Sequence, residues 1–115
     1  MSDVHITPQD GALGLQFEGG LLIENVANLK ARLLDALSSL QAQQEVRLNL
    51  SAVSEVDSAG IQLLVATSSW LQSLHMQPVL QAGAACVEQM SRVVGAADDH
   101  HCCGFIRTPD TGARS

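Results

Sequence analysis

The chain has 115 residues, of which 46% are hydrophobic and 16% charged, and it carries a formal net charge of −6. That is enough apolar material for one domain with a core of its own, and too short a chain for two. The acidic balance and scattered Lys and Arg exclude a phosphate-backbone binder, so nucleic acid is not an expected partner. No run approaches the roughly 18 apolar residues that span a bilayer, and Met1 to Phe17 lacks the basic and apolar pattern of an export signal. Direct membrane insertion is therefore not expected. The three cysteines, Cys86, Cys102 and Cys103, are odd in number and two are adjacent. They argue against a disulfide framework and for a reducing, cytoplasmic setting. With no Tyr, one Trp and two Phe, the core has to be aliphatic.

Val4 and Ile6 alternate with His5 and Thr7, a weak strand signal. Pro8 to Gly11 reads as a turn, and Leu13, Leu15 and Phe17 alternate as a second strand that Gly19-Gly20 stops. Together they predict a hairpin. From Ile23 to Gln43 the period becomes helical, with Val26, Leu29, Leu33, Leu37 and Leu40 on one face and Asn25 as candidate N-cap. Val46 to Leu50 predicts an interior strand. A second helix starts near Ser58, with Ile61, Leu64, Val65, Ser68, Leu71 and Leu74 as its buried stripe and Trp70 off centre. Gln77 to Ala82 is a strand with proline near its start, where proline is tolerated. Val87, Met90, Val93 and Val94 predict a third helix closing at Gly95. Residues 98–106 show no period, and 107–115 read as a disordered tail behind a domain at 1–106. Strands alternating with helices imply parallel pairs, and the hairpin adds antiparallel character. The fold class is thus α/β, a mixed sheet of about four strands with helices packed on it.

The stretch from Leu48 to Leu64 carries the functional signal. A buried strand runs into a short polar loop and then a helix whose first turn holds Asp57-Ser58-Ala59-Gly60. A helix N-terminus offers free N–H groups and partial positive charge, so a phosphate on Ser58 is tolerated there. Ser58 is therefore a candidate for a reversible charge switch, with a plain first-turn serine as the simpler alternative.

The order of elements, with Leu15-Gln16-Phe17-Glu18-Gly19-Gly20-Leu21, Leu48-Asn49-Leu50-Ser51 and Val56-Asp57-Ser58-Ala59-Gly60-Ile61, resembles the STAS domain from about Val4 to Gly95. The family includes bacterial anti-sigma factor antagonists and the cytoplasmic ends of sulfate transporters. In the antagonists, the serine matching Ser58 is phosphorylated by a partner serine kinase, the anti-sigma factor. The unmodified form binds that partner and the phosphorylated form releases it. The resemblance implies this role for Ser58, with Asp57 and Gly60 as flanking pattern. It implies a partner-contact set of Asp57, Ser58, Ala59, Gly60, Gln62, Ala66 and Ser69. Similar domains serve chemotaxis-type signalling clusters, stressosome-like assemblies and a small subunit of phospholipid ABC transporters, so a chemotaxis-type kinase and a transporter ATPase are alternative partners.

No catalytic, metal or cofactor site is expected. Asp57 reads as a turn residue rather than a base, because in a kinase reaction the base belongs to the kinase. Gly60 admits close approach of a partner or of neighbouring backbone. His100-His101-Cys102-Cys103 lacks the two-to-four-residue gaps of zinc ligand pairs. Asp57-Ser58-Ala59-Gly60 lacks the glycine two before serine of a nucleophile elbow, and a lone lysine, Lys30, supplies no phosphate loop.

Overall fold

The computed structural model describes residues 2–9, 12–37 and 45–107. The chain runs β1 (Asp3–Gln9), β2 (Ala12–Leu21), α1 (Ile23–Leu37), β3 (Glu45–Val56), α2 (Ser58–Ser73), β4 (Gln77–Ala82), α3 (Ala85–Val93), β5 (His101–Cys102) and β6 (Phe105–Arg107). The strands form one mixed sheet in the order β1-β2-β3-β4-β6-β5. The expected hairpin is present, β1 pairing antiparallel with β2. β2, β3, β4 and β6 are then mutually parallel, and β5 closes the far edge antiparallel to β6.

Among the described residues the expected count of about four strands is corrected to six. β5 and β6 have two and three residues, too few to show a period, and they are joined by Cys103-Gly104 with φ of 55° and 84°. Two consecutive positive φ values are what a two-residue hairpin turn requires. Arg107, expected in the tail, ends β6 and grips Glu88 of α3 with both terminal nitrogens, at 2.6 and 2.7 Å. Residues 108–115 lie outside the described residues.

β3 is also longer than Val46–Leu50 suggested. Its pairing with β2 slips twice, between Gln16 and Glu18 and between Gly19 and Gly20, each time with an extra residue on β3. Such bulges move the following side chains to the other face and break the period-two alternation. At the first, the Asn49 carboxamide oxygen accepts the Ser51 N–H at 2.9 Å.

The core is aliphatic as expected, with Leu15, Leu21, Leu29, Leu48, Leu50, Ile61, Leu64, Leu71 and Leu80 almost wholly inaccessible beside Phe17 and Phe105. α1 delivers Leu29, Leu33 and Leu37; Leu40 and the predicted helix end at Gln43 fall outside the described residues. Asn25 is not the N-cap. It lies inside the first turn and its amide donates to the Gly20 carbonyl at 2.9 Å. Among the described residues, no helix is long and apolar enough to cross a membrane.

Candidate functional site

The site is built where two helices begin. β2 ends at Leu21 and β3 at Val56, neighbours in register, so α1 and α2 start at one corner of the sheet. Asp57 joins them. One carboxylate oxygen accepts the Ile23 N–H of α1 at 2.9 Å, and the other accepts the Gly60 N–H of α2 at 3.1 Å. Its own N–H donates to the Leu21 carbonyl at 3.1 Å. Asp57 is therefore the N-cap of α2 and satisfies an orphan donor of α1 as well. The Ile23 N–H, reinforced by those of Gly60 and Ala59, holds its carboxyl below the usual carboxylate range. With both oxygens committed to backbone, Asp57 is a positioning group and not a base for its neighbour.

Ser58 follows as the first residue of α2 and is exposed. Gly60 is buried, and a Cβ there would lie 2.1 Å from the Leu21 carbonyl oxygen. Of the two uses expected for this glycine, the structure shows the approach of neighbouring backbone. Gly60 offers no surface to a partner and leaves the contact set for that reason. Ala59 is half-buried, and Gln62, Ala66 and Ser69 are exposed along the outer face of α2.

Ser58, Gln62 and Ala66 line a groove of about 360 Å³ with Ile61, Val65, Val94 and Ala96. The sequence pattern did not reveal two of these walls, Val65 and Val94. Val65, placed in the buried stripe, is 38% exposed; Val93 and Val94 are 81% and 48% exposed. Two adjacent residues of a helix end cannot both face inward, and α3 buries Val87 and Ser91 instead. A second apolar groove, of about 240 Å³, lies between α1 and α2 against Leu33, Leu34, Ala66, Thr67 and Trp70. One signal pointed to this face. α2 contains no charged residue in its sixteen positions, and depletion of charge over an outward helix face marks a contact surface.

The His100–Cys103 cluster does not converge as a metal site. Both histidines are exposed while both thiols are buried. Elsewhere, His5 Nε2 lies 3.1 Å from Glu18 and 3.8 Å from Asp3. Donor atoms of these three residues lie within 4.8 Å of one another. Arg32 pairs with Asp3 in the same place, so a guanidinium already offsets one of the two carboxylates.

A family model described as Mlab, STAS domain, matches residues 4–104. The chain belongs to the STAS-domain family. Its fold is that of solved STAS proteins. An anti-sigma factor antagonist from Mycobacterium paratuberculosis superposes with a TM-score of 0.69 at 16% identity, over 95% of this chain and 86% of that one. The anti-sigma factor antagonist SpoIIAA in its unphosphorylated form superposes with a TM-score of 0.61 at 14% identity, over 96% and 92%. No curated protein matches in sequence. The match passes through residues 98–104, so the STAS pattern extends past Gly95, where the resemblance in sequence stopped.

Proposed function

We propose that this STAS domain is a cytoplasmic protein-binding switch, docking a kinase-type partner through the outer face of α2 and releasing it when Ser58 is phosphorylated. The observation that carries this reading is the position of Ser58, exposed on the rim of an apolar groove on a helix without charges. A phosphate there adds about −1.5 to −2 charges. The helix N-terminus offsets the cost within the domain, so the penalty falls on the docked partner. The partner supplies ATP and catalysis. Asp57, Ala59, Gln62, Ala66 and Ser69 complete the contact set, with Val65 and Val94 as its apolar centre. The likeness of fold to two anti-sigma factor antagonists supports an anti-sigma factor as that partner.

The Mlab description of the matching family model supports a second reading. In it the same face is docked on a transporter ATPase and Ser58 is a contact that is never turned over.

The test is a pull-down from native lysate with wild-type and Ser58→Asp baits, with mass spectrometry of bait and captured proteins. The switch predicts a small serine-kinase-type ATPase held by wild type and lost with Asp, and a phosphorylated fraction of Ser58. Capture of a transporter ATPase by both baits, with Ser58 unmodified, overturns the switch in favour of the second reading.

A further inference from the structure

The edge hairpin carries chemistry that docking leaves unused. Cys102 ends β5 and Cys103 opens the turn into β6. Both thiols are buried, with their sulfurs 4.0 Å apart. The Ser91 hydroxyl of α3 lies 3.2 Å from the Cys103 sulfur and 3.9 Å from that of Cys102. The hydrogen bond between the two thiols holds Cys102 below the usual thiol range and pushes Cys103 up. The two sulfurs thus lie within reach of one another, with Cys102 the one whose deprotonation is favoured and Cys103 placed to resolve it.

The same turn is wired to the groove beside Ser58. The Cys103 N–H donates to the Ala96 carbonyl at 2.8 Å, and the Ala96 N–H to the Ser91 carbonyl at 2.7 Å. Ala96 is a wall of that groove. Gly104, with φ +84°, packs so closely on α2 that a Cβ would meet the Ser68 hydroxyl oxygen at 2.0 Å. A change in the turn therefore presses on α2, on α3 and on the Ala96 wall together.

We propose that Cys102 and Cys103 are a thiol-oxidation site, and that closing a disulfide between them reshapes the Ala96 wall of the Ser58 groove. The oxidant is a low-molecular-weight disulfide, R–S–S–R. The Cys102 thiolate attacks one of its sulfurs, forming a mixed disulfide and expelling RS⁻. Cys103, deprotonated as that RS⁻ takes up a proton, attacks the Cys102 sulfur and expels the second RS⁻, which takes the proton first lost by Cys102. Two protein thiols become one disulfide, and the reagent is reduced to two RSH. The reagent enters by local opening of the two short strands, the kind of element that opens far below the global unfolding energy. Neighbouring Cα atoms are about 3.8 Å apart, closer than disulfide-linked residues usually lie. The turn must therefore rearrange, and the Cys103–Ala96 hydrogen bond lies directly in its path. The effect on docking rests on the function proposed above; the oxidation and the change at Ala96 do not.

The test uses the reduced full chain, excess oxidised glutathione, alkylation and mass spectrometry, with amide NMR spectra before and after. The expected product has lost two hydrogens, retains no glutathione and is alkylated at Cys86 alone. The amides of Ala96, Val94 and Gln62 shift, and dithiothreitol restores them. Cys102→Ser and Cys103→Ser should each abolish the internal disulfide. Should either fail to fold, Cys86→Ser, which leaves the pair intact, must still lose two hydrogens and show the same shifts. Cys102 and Cys103 remaining open to alkylation, or holding glutathione as a stable adduct, overturns the site. A disulfide that forms without moving Ala96 overturns the coupling. No partner enters either readout, so a failed pull-down leaves both results standing.

Discussion

Two glycines, Gly60 in the first turn of α2 and Gly104 packed against that helix, stand where no Cβ fits, and they differ in what stands in the way. At the corner where the helices begin, Gly60 faces a carbonyl oxygen of Leu21, main chain locked into the β2–β3 pairing. At the edge hairpin, Gly104 faces the buried Ser68 side chain, whose hydroxyl donates to the Val65 carbonyl at 2.9 Å and is not part of the main chain. The corner is held by backbone against backbone and by a carboxylate bonded to two helices. The hairpin has backbone bonds too, to β4 and from Cys103 to Ala96, but it leans as well on side chains: two thiols, a serine and the Arg107–Glu88 pair. One end is rigid by construction and presents Ser58 in one geometry. The other can be reset by changing a few side-chain bonds.

Gly60→Ala breaks this comparison most directly. It should cost about 3 kcal/mol, the upper range for overpacking a site that cannot yield, read from the denaturation midpoint. Gly104→Ala should cost less, about 1–2 kcal/mol, chiefly for placing a Cβ at positive φ. Adding Ser68→Ala should recover part of that loss in a double-mutant cycle, whereas nothing near Gly60 offers such relief. Equal costs at the two glycines would dissolve the distinction.

Acid separates the regions next. Asp57 is held below its ordinary value by the Ile23 N–H and Glu88 by the Arg107 guanidinium. A carboxyl depressed in the folded state contributes fully above its unfolded value, and that contribution is lost as pH falls through the folded one. Below about pH 4, amide protection, corrected for intrinsic exchange, should therefore fall at Ile23 and Gly60 through Asp57, and at the hairpin through Glu88. Asp57→Asn should flatten the first response and leave the second. Ser58→Ala should change least, within about 0.5 kcal/mol, as expected for an exposed residue that is not the cap. A larger loss on thermal melting would mean that Ser58 is structural and weaken its assignment as a switch.

The parts legible in the sequence were those with a sustained period. Leu29, Leu33 and Leu37 announced α1, and Leu13, Leu15 and Phe17 announced β2. The alternation of β3 failed where bulges turned its side chains over, and β5 and β6 were too short to have one. At the site, Ser58 and its loop were legible as a pattern, and Gln62 and Ala66 lie where the helical period put them. Val65 and Val94 were not, because hydrophobic identity says inside and only the absence of charges along α2 argued otherwise. The double grip of Asp57 joins residues 34 positions apart, which no local pattern encodes.

That grip has a practical consequence. One of the two carboxylate bonds that fix Asp57 beside Ser58 comes from α1, so the loop is a discontinuous epitope. A synthetic peptide copying residues 53–65 would carry the serine's neighbours in sequence and still lack its second anchor. It should make a poor mimic of the domain, whether as kinase substrate or as competitor, and an inhibitor of this surface is better designed from the intact corner than from the loop alone.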